Sequence, residues 1–218
     1  MDSATEIGWE PHEIALLGGG PPAAVTVAVV ALHLLGAVET GPRRTLCATG
    51  PDPEGLGPFE GTVLGCLREP LTARELVRHT DVRLALALAR IPLAEDGLLG
   101  PRRLRPNRGA RRRVEFWRER HPLPAAGHGL ADGDTLLAVA LHGDAALRLL
   151  LPRFALRAGL ANPGVPVEGV RFFPGGSGRS RFRRWGAAYE APVTGDLGPG
   201  DGDHAGGGGS TGGGGGSD

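Results

Sequence analysis

Seven histidines are the first candidates for metal or acid–base chemistry: His12, His33, His79, His121, His128, His142 and His204. In sequence, none has another histidine, a cysteine or a carboxylate at a recognisable metal-ligand spacing. His33 stands in an otherwise apolar run and reads as a half-buried, hydrogen-bonded side chain rather than a ligand. The serines (Ser3, Ser177, Ser180, Ser210, Ser217) all fall outside the apolar segments. Pro174-Gly175-Gly176-Ser177-Gly178-Arg179 has the composition of a nucleophile or phosphate loop. It lacks the preceding strand and following helix that such loops need, and reads as a flexible stretch. The chain contains no lysine, which excludes a Walker lysine and a Schiff base. Gly18-Gly19-Gly20 precedes a helical run and could cradle an anion on free amides, but Pro21 and Pro22 remove two of those amides. No carboxylate pair sits in an apolar context. The sequence therefore nominates no catalytic residue, no metal ligand and no cofactor.

Arginine is the remaining chemistry-bearing type. All 24 basic residues are arginine, and glutamine is absent along with lysine. Such usage follows from GC-rich codons, so genomic bias explains the excess before phosphate recognition does. The formal net charge is zero, but its distribution is uneven. Nine arginines crowd residues 102–120 against Glu115 and Glu119, eight crowd 148–184 against Glu168, and the segment from 185 is acidic. Arg83 and Arg90 share one helical stripe, and Arg102, Arg103, Arg105, Arg108, Arg111 and Arg112 follow. These eight are the candidate contacts to nucleic acid or another anionic surface, and such contacts would be strongly salt-dependent. On the bland reading the run is a solvated helical face with Arg111–Glu115 and Arg112–Glu115 pairs.

The elements that must position these residues form a repeat. Glu13–Leu17, a break, an apolar helix-length run and Leu32–Val38 make the first copy; Glu75–His79, a break, an apolar run and Leu93–Leu99 make the second. The closing glycines, Gly36 and Gly97, lie 61 residues apart. Each copy reads as helix, tight turn, longer helix, Gly stop and short strand, the order of a winged helix-turn-helix unit. Pro11 opens the first helix and Pro21-Pro22 the second, since proline suits a first turn. The alternation Val25, Val27, Val29 also fits a strand, but length and the match to the second copy favour helix. Residues 37–39 and 45–48 predict a hairpin, 59–68 a helix, and Thr72–Glu75 a capping box. The second long helix is expected from Val82 to Asp96, bent at Pro92. A wing (98–104), a charged helix (107–120) and two apolar helices (132–143 and 144–158) complete the pattern.

Both long helices are so apolar that they are expected to be consumed by contacts inside the molecule. A groove-reading helix needs a polar face free, with Asn, Gln, Ser or Lys for base edges, and the run 82–91 offers only Arg83 and Arg90. Cys47 and Cys66 read as small buried hydrophobes; a bridge between them is sterically conceivable but has no sequence support. The longest apolar run, Ala23–Val38, is shorter than a bilayer span, and the acidic N-terminus does not read as a signal peptide. A soluble, cytoplasmic chain without a transmembrane segment is expected.

Taken together, residues 12–160 resemble a functionally uncharacterised bacterial family common in high-GC actinobacteria, whose members are usually labelled domain-containing membrane proteins. The phrases that carry the likeness are Glu13–Pro21, Ala31–Val38, Leu71–Leu76, Ala94–Leu99, Arg118–Leu123 and Leu141–Leu147. The glycine-rich ending is similar too, although relatives often have Gly/Cys repeats there and this chain has no Cys in it. The resemblance implies no activity and no catalytic residue. It does imply that peripheral membrane association is worth considering.

The expected architecture is mainly α. It comprises a winged-helix-like unit at 10–50, a linker at 51–58, a second unit at 59–124 and a helical pair at 132–160. An Arg/Gly-rich tail at 161–218 is too poor in apolar side chains to order itself. The expected function is a non-catalytic protein-interaction or scaffold module with an unidentified protein partner; a winged-helix DNA-binding regulator is the alternative.

Overall fold

The computed structural model describes residues 8–100, 104–125 and 129–161. The expected tail from Asn162 onward, with its PGGSGR stretch, lies outside them, as do Arg102, Arg103, His128 and His204. The fold is mainly α. In chain order it runs α1 (Pro11–Gly19), α2 (Pro21–Leu34), β1 (Val38–Thr40), a 3-10 turn (Pro42–Arg44), β2 (Thr45–Ala48), α3 (Pro58–Cys66), β3 (Leu71–Thr72), α4 (Ala73–Arg78), α5 (Thr80–Leu88), α6 (Arg90–Glu95), α7 (Arg108–Arg120), α8 (Asp132–His142), α9 (Asp144–Leu150) and α10 (Pro152–Arg157).

The repeat is real at the level of hydrogen bonds. Gly36 and Gly97 both take positive φ, 72° and 68°. In the first copy the Ala37 amide donates to the Leu32 carbonyl and the Gly36 amide to that of His33. In the second, Leu98 donates to Leu93 and Gly97 to Ala94 in the same way. This is the Schellman ending, in which a left-handed glycine lets the chain turn back over the last carbonyls. Beyond it, β1 and β2 form an antiparallel hairpin pairing Val38 with Ala48 and Thr40 with Leu46. The second copy closes more weakly, with one antiparallel bridge between Leu99 and Pro106.

The two copies are knitted together. Strand β3, from the second copy, adds to the hairpin of the first through Thr45–Thr72 and Leu46–Leu71, giving the sheet order β1-β2-β3. Helix α2 lies at the centre, against α1, α3, α4 and α8. Its residues from Pro22 to Val30, and Leu32, are all buried. A helix apolar all round needs neighbours all round, and α2 has them. Its one hydroxyl, Thr26, is satisfied by donating to the Pro22 carbonyl at 2.8 Å. The buried side chains of α1, α2, α5, α8, α9 and α10 belong to one continuous core.

Proline acts earlier than expected on the second long helix. The Pro92 residue has no amide to give the Leu88 carbonyl, and its ring crowds that turn. The helix accordingly ends at Leu88, and α6 restarts with Pro92 in its first turn, where no amide partner is required. Pro152 has a like effect, splitting the expected last helix into α9 and α10. Thr72 and Glu75 form the expected capping box at the start of α4. Among the described residues, no helix is long and apolar enough to cross a membrane.

Candidate functional site

Helix α5 carries what is unusual in this molecule. It packs on α3 and α4, and inward it buries Val82 and Leu86, with Leu93 of α6 continuing the same side. Outward it presents Leu84 (61% exposed) and Leu88 (57%), and Ile91 (51%) follows in the first turn of α6, a spacing of i, i+4 and i+7. The expectation that both long helices are consumed inside the molecule therefore holds for α2 and fails for α5. The reason is position. Leu84, Leu86 and Leu88 are two residues apart and spread over more than half a helical turn, so burying all three needs cover on several sides. Helix α2 has that cover; α5 lies at the edge and has it on one side.

At the N-terminal end of α5 three side chains converge. Cys66 ends α3, His79 is the residue between α4 and α5, and Asp81 lies in the first turn of α5. Cys66 Sγ is 3.3 Å from His79 Nδ1, and that nitrogen is 3.8 Å from Asp81 Oδ2. All three ligand atoms fall within 4.8 Å of one another. The Asp81 amide also donates to Nδ1, at 3.4 Å, so His79 caps the start of α5. Burial, and then the negative charge of Asp81, push the Cys66 thiol up from its usual range. The setting therefore favours the thiol over the thiolate.

Spacing along the chain does not announce this cluster, which the fold brings together. The twelve residues between Cys66 and His79 match no ligand motif. They contain a strand and the short capped helix α4, which fold back so that the start of α5 meets the end of α3. Cys47 and Cys66 are both free thiols and only half-buried, not the buried hydrophobes expected.

Among the described residues, the candidate arginines are spread over α5, α6, the stretch before α7 and α7 itself. Arg83, Arg105, Arg108, Arg111 and Arg112 are exposed, and Arg90 is half-buried beside Ile91. On α7 the buried residues are Ala110 and Val114, with Arg111 and Arg112 outward. Glu115 is engaged by Arg118 at 3.3 Å, not by Arg111 or Arg112 as the spacing suggested, while Arg118 Nε donates to the Leu141 carbonyl at 2.6 Å. Arg113 lies over the Trp9 ring at 5.2 Å.

The other described histidines serve the fold. His12 Nδ1 meets Glu60 Oε1 at 3.0 Å and its ring lies against Phe59. His33 stacks on Phe154 at 3.7 Å and donates from Nδ1 to the Val38 carbonyl, as expected of a structural histidine. His142 Nε2 donates to the His121 carbonyl at 2.7 Å. Burial, set partly against that bond, holds the His142 ring below its usual pKa.

Comparison with family models, with curated proteins and with solved structures finds no match to this chain. The functional reading rests on its own geometry.

Proposed function

We propose that this chain is a non-catalytic protein-interaction module that offers the outer face of α5 and α6 to an apolar face of a partner protein. The observation that carries the reading is the set Leu84, Leu88 and Ile91, each more than half exposed, two on α5 and the third at the start of α6. Isolated exposed leucines are ordinary, but aligned ones form a patch of the kind interfaces cover. Arg83 and Arg90 adjoin Leu84 and Ile91, where a charged rim would set orientation. Kinship with the actinobacterial family belongs to the same proposal and brings no activity with it.

A winged-helix DNA-binding regulator is the second reading. It draws on the exposed arginines of α5 and α7. Against it, apolar side chains occupy the face that a groove-reading helix would turn to base edges.

The test is cross-linking in the native host of tagged full chain and of the Leu84→Glu/Leu88→Glu variant, alongside duplex-DNA anisotropy at low and high salt. The interaction reading expects adducts with the wild type that vanish in the variant. Equal adducts from both would overturn it. So would duplex binding that weakens steeply with salt and is lost on Arg105→Ala/Arg108→Ala/Arg111→Ala, which is the regulator's signature.

A further inference from the structure

We propose that Cys66, His79 and Asp81 form a binding site for a divalent transition-metal ion of the zinc class. The proposal is independent of the docking face, and either can fail alone. A tetrahedral zinc ion holds sulfur and nitrogen ligands about 3.6 Å apart and nitrogen and oxygen ligands about 3.3 Å apart, given the usual zinc–ligand bond lengths. The corresponding separations here are 3.3 and 3.8 Å, so these two edges stand within about half an ångström of tetrahedral values, and all three ligand atoms lie within 4.8 Å of one another before any ion pulls them in.

The donor set is selective. One sulfur, one imidazole nitrogen and one carboxylate oxygen suit zinc, cobalt or copper; magnesium and calcium prefer all-oxygen shells. His79 Nδ1 faces both the Cys66 thiol and the Asp81 amide, and a bound ion would take the place of that amide as its partner. Access is open, because the His79 and Asp81 side chains are 40% and 67% exposed. Coordination replaces the thiol proton by the metal and releases that proton to solvent. Three protein ligands leave one tetrahedral position for water or for a donor from a partner.

Placement gives the ion a structural consequence. Its ligands come from the last residue of α3, the residue ahead of α5 and the first turn of α5, so a bound ion staples α5 to α3. Helix α3 is one of the two helices on which α5 packs, and Val82 and Leu86 are the buried side chains of α5.

The experiment titrates the purified, chelator-treated full chain with Co2+ alone and reads absorbance, followed by displacement with Zn2+ alone. The expected result is one Co2+ per chain, with a thiolate-to-cobalt charge-transfer band in the near ultraviolet and tetrahedral-type visible bands, displaced by one equivalent of Zn2+. Cys66→Ser removes the charge-transfer band, and His79→Ala and Asp81→Asn each weaken binding about tenfold or more, the usual scale for a lost ligand contact. Cys47→Ser leaves the spectrum unchanged. Circular dichroism of each metal-free variant must match the wild type, so that a lost band reports ligation and not unfolding; a variant that fails this is replaced by Cys66→Ala. The site is overturned if no charge-transfer band forms, if the band survives in the Cys66 variants, or if Cys47→Ser abolishes it.

Discussion

Three leucines of α5 allow a sharp test of how that helix is seated. Leu86 is 0% exposed, whereas Leu84 and Leu88 are 61% and 57% exposed. Truncating a fully buried leucine to alanine loses both transfer energy and the contacts around the cavity, about 2–5 kcal/mol. In a domain of this size, each kcal/mol lowers Tm by about 2–4 °C, so the Tm of Leu86→Ala should fall by roughly 4–20 °C. For Leu84 and Leu88 the side chain is already mostly in water. Burial of a whole leucine is worth about 2 kcal/mol, and the remaining covered fraction leaves about 0.9 kcal/mol or less for each. Leu84→Ala and Leu88→Ala should therefore lower Tm by no more than about 3 °C. The assay is urea and thermal unfolding followed by tryptophan fluorescence, with Trp9 and Trp117 as reporters lying against the core. If Leu84→Ala costs as much as Leu86→Ala, α5 is turned the other way and the docking face does not exist.

Further outcomes follow from the same geometry. Gly36→Ala and Gly97→Ala meet no atom within 4 Å, so each should cost only the left-handed backbone strain, about 1–2 kcal/mol, and the two costs should be alike because the helix endings are alike; chemical denaturation measures both. Burial pushes the Glu60 carboxyl up, but the His12 hydrogen bond and charge and its own backbone amide together hold it below its usual value of 4.5. A carboxyl lowered in the folded state contributes stability above its unfolded pKa and loses it as pH falls through the folded value. Wild type should therefore lose more stability than Glu60→Gln on going from pH 5 downward, read as the urea midpoint against pH. Stoichiometric Zn2+ should raise the Tm of the full chain, and Cys66→Ser should remove the increase.

The parts of this molecule legible in sequence are those set by local chemistry. The 61-residue repeat of glycine endings, the proline-opened helices and the Thr72–Glu75 capping box each follow from a few neighbouring residues. The central helix α2 was legible because uniform apolarity demands cover on every side. What escaped depends on placement. The stretch 82–91 is as leucine-rich as a core helix, and only its position at the edge leaves Leu84, Leu88 and Ile91 bare. Cys66 and His79 are thirteen residues apart and meet because α4 is a single short, capped helix that reverses the chain. Glu115 had three arginines within helical reach, and Arg118 takes it while its Nε is anchored to the Leu141 carbonyl of another helix.

The central claim is that the outer face of α5 is bare in the isolated chain and covered by a partner protein in the cell. Its most direct measurement is peptide-resolved maleimide labelling of Leu88→Cys, compared with Arg112→Cys on the solvated face of α7. In purified protein both thiols should react at exposed rates. In host cells Cys placed at 88 should be protected while Cys placed at 112 still labels; equal labelling of both in cells would contradict the claim.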